Sequence, residues 1–150
     1  MNQVTLKVVS YTENSSDIQF IRNQVYHLEQ KIELYRVFDE YDETVEHILA
    51  YLEQQAVGTA RIRYLDRETA SIEKLAVLST ARRRGIGRKI LETALEIAAQ
   101  NSVQDIVINA QYYIKGLYQE LGFEQEGEKF IVAGNPHALI KMRKRLEQLR

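Results

Sequence analysis

Five cations and two glycines crowd into eight consecutive residues, Arg82, Arg83, Arg84, Gly85, Ile86, Gly87, Arg88 and Lys89. Ile86, Ile90, Ala94, Ile97 and Ala98 carry the spacing of an amphipathic helix, so the cluster lies at a helix amino terminus. That terminus already holds about half a positive charge, and each cation there costs roughly a few tenths of a kcal/mol unless an anion offsets it. Free backbone N–H groups, with glycines that permit close approach, would make a phosphate or pyrophosphate cradle. The competing reading is a solvated basic patch. The spacing excludes two commoner cradles. A Walker A loop needs G-x-x-x-x-G-K-[ST], which this run lacks. A dinucleotide fingerprint needs G-x-G-x-x-G/A, but its third position is Ile90, and Asp105 opens the next strand where the ribose-binding acid should close it. Zero cysteines exclude disulfides, thiolate metal sites and a cysteine acyl-enzyme. His27, His47 and His137 lack metal-ligand spacing, so no metal site is expected.

The elements that must position this cluster follow from the hydrophobic pattern. Val4 to Val9 reads as a strand, ended by the polar stretch Thr12 to Asp17, with Ser15 or Ser16 as the cap of a following helix. Ile18, Ile21, Val25 and Leu28 carry that helix to about Glu29, and Lys31 to Phe38 reads as a second, shorter one. The acidic run Asp39, Glu40, Asp42 and Glu43 reads as a loop. His47 to Leu52 and Val57 to Tyr64 form a hairpin through Gln54-Gln55, and Ala70 to Leu78 completes an antiparallel meander. After the long helix, Ile106, Val107 and Ile108 read as a strand buried on both faces, parallel to the fourth strand in a βαβ unit. Ile114, Leu117, Tyr118 and Leu121 space a short helix that Gly122 ends. Phe123 onward, Phe130 to Ala133 and His137 to Met142 supply the last strands. The expected class is α+β, an α/β sandwich: a mixed, mostly antiparallel sheet with helices on both faces and one parallel unit.

At this point the residues resemble a known family. Leu75-Ala76-Val77 followed by Arg82-x-x-Gly85-x-Gly87 resembles the acetyl-coenzyme A motif of the GNAT superfamily of N-acetyltransferases, R/Q-x-x-G-x-G/A. Gly116-Leu117-Tyr118-Gln119-Glu120-Leu121-Gly122-Phe123 resembles the family's closing signature, a Tyr five residues before the Phe of a Gly-Phe pair. The order of elements matches that fold along nearly the whole chain. A narrower resemblance, to the small bacterial ElaA- and YjcF-type subset, rests on Val25 to Gln30, the Asp39 to Asp42 loop, His47, Asn109-Ala110-Gln111 and Gly134-Asn135-Pro136-His137.

The resemblance implies that the fourth strand bulges and splays from the fifth, and that Leu75, Ala76 and Val77 offer backbone to the pantetheine arm of acetyl-coenzyme A. Amides from Arg83 through Arg88, including Arg84, Gly85, Ile86 and Gly87, would hold the pyrophosphate, with Arg82 or Lys89 adding side-chain charge. Tyr118 resembles the general acid that protonates the departing thiolate, and with a reference pKa of about 10 it is protonated at neutral pH without tuning. The competing reading makes it a core aromatic beside Leu117 and Leu121. Glu73 is the first candidate for general base and Glu29 the second. Either could equally be a surface charge, and Ser71 occupies the position where some members carry a catalytic Glu. Gln111 stands where many members place an Asn on the cofactor arm. His47 or His137 could line the acceptor pocket or be a satisfied strand histidine.

The sequence has 150 residues, 45% hydrophobic and 27% charged, which fits one soluble globular domain; the resemblance implies that 1–150 is a single acetyltransferase-like domain. Twenty Lys+Arg against twenty-one Asp+Glu leave a formal net charge of −1, so no global attraction to nucleic acid or acidic lipid is expected. With no membrane-length apolar stretch and no signal layout at the amino terminus, a cytoplasmic protein is expected. The leading expectation is direct transfer of acetyl to a small-molecule or peptide amine in a ternary complex. Two alternatives stand beside it: a non-catalytic coenzyme A-binding regulatory domain, and a nucleic-acid module built on Arg82 to Lys89 and the tail Lys141, Arg143, Lys144, Arg145 and Arg150. The acidic loop would draw a cationic amine to the pocket rim. Many family members are dimers, which leaves a homodimer open.

Overall fold

The computed structural model describes residues 3–146; Arg150 of the basic tail lies outside them. Strands are β1 (Val4–Ser10), β2 (Glu46–Leu52), β3 (Gln55–Tyr64), β4 (Thr69–Val77), β5 (Asp105–Gln111), β6 (Glu124–Phe130) and β7 (Leu139–Arg145). Helices are α1 (Tyr11–Arg22), α2 (Leu34–Val37), α3 (Ile86–Gln100) and α4 (Lys115–Glu120), with a π-helical segment (Asn23–Glu29) continuing α1. The strands form one seven-stranded sheet in the order β1-β2-β3-β4-β5-β7-β6. Only β4 and β5 pair in parallel, and α3 makes the crossover between them. The mixed sheet expected from the hydrophobic pattern is therefore the one observed.

β3 is buried at every position from 57 to 62, on both faces of its pleat, because helices cover the sheet from both sides. α3 packs tightly over Gly58, where a Cβ would stand 2.9 Å from Ile90 Cδ1 and 3.3 Å from Ile86 Cγ2. A residue without a side chain is what lets that helix press onto the sheet. Ile48, Leu49, Ile62, Ile90, Leu91, Ile106 and Ile140 fill the core.

Several boundaries differ from the sequence expectation. Ser10 caps α1, its Oγ accepting from the Glu13 N–H, so the polar stretch Thr12 to Asp17 is helical and neither Ser15 nor Ser16 is the cap. The hairpin turn is Glu53-Gln54, with φ of 51° and 68°, the pair of left-handed residues that a two-residue turn between twisted strands requires. Lys31, with φ of 64°, breaks the expected second helix and confines it to Leu34–Val37. Residues 131 to 138 form a loop and not a strand. Gly134 has φ of 81° there, and the Asn135 side chain accepts from the His137 N–H.

Candidate active site

β4 and β5 pair only at Thr69 with Asp105, Ala70 with Ile106 and Ser71 with Val107. Beyond that point the strands diverge. β5 turns to β7, and β4 stays with β3 through a bulge that places Glu73 opposite Arg61 but Ala76 opposite Thr59. The extra residue falls at Lys74, whose φ of 57° marks the left-handed kink typical of a bulged strand. Leu75, just past the bulge, thus faces an opening in the middle of the sheet.

A cavity of about 540 Å³ occupies this opening. Tyr26, Glu73, Lys74, Leu75, Gln111 and Tyr118 line it. Tyr118 comes from α4 and packs edge-on against Phe123, ring centroids 6.0 Å apart. Burial pushes its hydroxyl up to about 12, so it holds its proton throughout the neutral range. Tyr26 comes from the π-helical segment and donates its hydroxyl hydrogen to the Leu75 carbonyl; burial raises this phenol too. Gln111, at the end of β5, donates to Gln30 Oε1 and accepts from the Tyr113 hydroxyl at 2.7 Å.

The basic cluster lies where the motif spacing put it. Gly85 is the amino-terminal cap of α3, with φ of 74° and no side-chain partner for the helix's first N–H groups. A Cβ added at Gly85 would meet nothing within 4 Å, and one at Gly87 only Val77 Cγ2 at 3.8 Å. Open space therefore lies beside Gly85 and Gly87 at a helix start whose amides have no side-chain cap, which leaves room for an anionic group to approach. Arg82, Arg83, Arg84, Arg88 and Lys89 are exposed, whereas Ile86 is buried and anchors the helix start. Arg82 donates from both terminal nitrogens to Glu29, at 2.5 and 2.7 Å, and from Nε to the Val77 carbonyl. Arg88 pairs with Glu120 at 3.1 Å. Leu75 and Val77 are half-buried and Ala76 is buried.

The two carboxylates proposed as base candidates are both engaged by arginines. Glu29 is held below the usual carboxylate range by its hydrogen bonds from Arg82. Burial alone would raise Glu73, but hydrogen bonds from Arg63 and Arg61 outweigh it and hold its carboxyl low. Glu73 Oε1 accepts from Arg61 Nε at 2.9 Å, and Oε2 from Arg63 at 2.9 Å and from the Ser71 hydroxyl at 2.9 Å. This is one end of a chain of charges. Arg61 also binds Asp39 at 2.6 Å and Asp42 at 2.8 Å, and Asp42 binds Arg22 at 2.9 Å. Arg22 is completely buried and Asp42 is 2% exposed. The acidic loop expected to attract a cationic amine thus spends Asp39 and Asp42 on internal arginines.

His47 is completely buried and donates to the Asp42 carbonyl at 2.8 Å, and His137 donates to the Gln30 carbonyl at 2.8 Å. Neither lines the cavity, so both follow the structural reading, not the pocket reading. Among the described residues no group of three or more His, Asp and Glu could hold a metal. Sequence reasoning missed Tyr26 and Lys74. Tyr26 falls beside the apolar stripe of a regular helix, and the π-helical winding turns it toward the sheet. Regular alternation would point Lys74 away from Glu73 and Leu75, and the bulge brings it round to line the same cavity.

The Acetyltransferase (GNAT) domain family matches residues 10–146. The N-acetyltransferase YjcF of Bacillus subtilis is 30% identical over 126 residues, covering 83% of this chain and 89% of its own. The crystal structure of Escherichia coli ElaA superposes with a TM-score of 0.82 at 22% identity, over 95% of this chain and 99% of that one. A GNAT family acetyltransferase from Elizabethkingia anophelis, solved with acetyl-CoA bound, gives a TM-score of 0.73 at 20% identity, over 95% and 98% of the two chains.

Proposed function

The chain belongs to the GNAT acetyltransferase family, in its ElaA/YjcF-type branch, and from that premise we propose that it transfers acetyl from acetyl-coenzyme A to a primary amine by direct attack in a ternary complex. The observation that carries this reading is the placement of Tyr118 and Leu75 on one cavity, at the gap where β4 leaves β5. The uncapped amides at the start of α3, with open space before Gly85 and Gly87, suit the pyrophosphate of coenzyme A, and the acetyl-CoA-bound relative of the same fold supports that cosubstrate.

The chemistry asks little of the protein beyond position and one proton. The neutral amine attacks the thioester carbonyl, the new C–N bond forms, and the C–S bond breaks. Tyr118 supplies the proton that leaves coenzyme A as a thiol, and its raised pKa keeps that proton in place until the thiolate develops. Holding the acceptor beside the thioester supplies the rest through orientation. Glu73 and Glu29 already carry arginine partners that hold their carboxyls low, so the proton lost by the amine passes to solvent, and solvent returns one to Tyr118 to complete the cycle. The lack of a cysteine removes the usual thiol acyl carrier and agrees with direct transfer.

Calorimetric titration with acetyl-coenzyme A, coenzyme A, ATP and a short DNA duplex tests the cosubstrate. Saturable binding of the two coenzyme A ligands alone is the expected result. Binding of neither would sink the proposal, and salt-sensitive binding of the duplex alone would turn the arginine cluster into a nucleic-acid surface.

A further inference from the structure

The charges around the cavity do not cancel evenly. Arg22, Arg61 and Arg63 are matched by Asp39, Asp42 and Glu73 in a continuous series of contacts between 2.6 and 2.9 Å. Lys74 and Arg36 stand outside this series. Both line the cavity, and among the described residues neither has a carboxylate within ion-pair distance. Lys74 Nζ donates to the Arg36 carbonyl at 2.5 Å, which uses one of its three hydrogens. Arg36 Nε donates to the Ala133 carbonyl at 2.7 Å, leaving the terminal nitrogens of its guanidinium for another acceptor. Glu40, the cavity-lining acid outside the series, is exposed on the solvent side.

We propose that Lys74, seconded by Arg36 at the rim, binds an anionic group on the acceptor, so that the amine acetylated is one that also bears a carboxylate or a phosphate. This rests on the acetyltransferase reading and narrows its substrate class. Three observations support it. The bulge in β4 turns Lys74 into the cavity directly between Glu73 and Leu75, next to the backbone assigned to the thioester arm. The half-buried ammonium lies in the field of Arg61 and Arg22, each of which acts on it more strongly than Asp39 or Glu73 does. Asp39, Asp42 and Glu73, three of the acids around it, are tied to Arg61. A bare diamine would meet repulsion there, whereas an anionic substituent would complete the unused donors of both cations.

Matched amines decide it. Initial rates of coenzyme A release are measured for phenylalanine against phenethylamine and for phosphoethanolamine against ethanolamine, in wild type, Lys74→Gln, Lys74→Arg and Arg36→Gln. The wild type should favour an anionic member by about tenfold or more in kcat/KM, the scale of one hydrogen bond to a charged group. Lys74→Gln should erase that preference through KM while leaving acetyl-coenzyme A affinity unchanged, and Lys74→Arg should restore part of it. The pair that shows the effect tells carboxylate from phosphate. Equal rates within both pairs, a preference for the uncharged-tail amines, or a preference that survives Lys74→Gln would each overturn the assignment while leaving the acetyltransferase reading intact. Titration with N-acetylphenylalanine and phosphoserine, in the presence of coenzyme A, separates the opposite case. If no amine turns over but either anion binds and Lys74→Gln abolishes the binding, the anion site stands and the catalytic reading fails; if neither binds and no amine turns over, the site falls with it.

Discussion

At the scale of single residues, Tyr118 and Lys74 carry opposite consequences of the same burial. For Tyr118, burial favours the neutral phenol and so preserves an acid. Tyr118→Phe keeps the edge-on contact with Phe123 and should leave the melting temperature and acetyl-coenzyme A affinity unchanged, while kcat falls by about 10²-fold, the lower range for loss of a general acid. For Lys74, burial and the neighbouring Arg61 and Arg22 disfavour the charged form and bring its pKa from 10.5 down to about 8, against the weaker pull of Asp39 and Glu73. The unfolded chain therefore binds the extra proton between about pH 8 and 10.5, and stability rises with pH across that window. Lys74→Met removes this term. Its melting temperature should exceed the wild type's most below pH 8, and the difference should shrink as the pH approaches 10; a constant gap in thermal melts across that range would show that Lys74 is solvated as an ordinary surface lysine. Tyr118 and the arginine cluster were legible because each belongs to a motif with fixed spacing. Lys74 was not, since nothing in Ile72-Glu73-Lys74-Leu75 marks where an extra residue enters the strand.

At the scale of elements, the chain of charges from Arg22 to Arg63 joins α1, the loop after α2, β3 and β4, and it fixes the floor on which the cavity rests. Asp42 is its pivot, bound by both Arg22 and Arg61. Asp42→Ala would strand the buried guanidinium of Arg22, while Arg61 keeps Asp39 and Glu73, and should cost about 3–5 kcal/mol in urea unfolding, the range for removing one partner of a buried pair. Arg82→Ala breaks a pair whose members are both more than a third exposed and should cost little, about 0–1 kcal/mol. A smaller loss in the first variant than in the second would mean that water already reaches Asp42. Sequence pattern recovers α3 from its 3.6-residue period and β5 from its unbroken apolar run, and both signals lie within a short local window. It fails on the linkers that shape the site. Asp39 and Asp42 look like a solvated acidic loop until the fold brings Arg22 and Arg61 beneath them, at separations of about twenty residues that no local window contains. The left-handed conformations at Lys31 and Gly134 likewise bend α2 and the loop before β7 together, with the Glu33 N–H donating to the Gly134 carbonyl at 2.8 Å.

At the scale of the whole molecule, the sheet is two blocks, β1 to β4 and β5 to β7 with β6, that share three residue pairs and the α3 crossover. A ligand that bridges the gap while resting on the start of α3 touches both blocks, so its binding energy adds to the stability of the entire fold. At a free concentration one hundred times Kd the gain is about 2.7 kcal/mol. For a domain of this size that corresponds to a rise of roughly 5–11 °C in melting temperature. Acetyl-coenzyme A should produce a shift of this kind in a thermal melt. Gly87→Glu separates binding from folding. Its Cβ meets only Val77 Cγ2, at 3.8 Å, and a carboxylate in the first turn of a helix is favoured by the dipole, so the unliganded melting temperature should hold or rise slightly. The same carboxylate would fill the space before the free amides and repel a pyrophosphate, so the ligand-induced shift should vanish. If Gly87→Glu instead melted low without ligand, the glycine would serve the packing of α3 against Val77; if it kept the full shift, the pyrophosphate would have to rest somewhere other than the start of that helix.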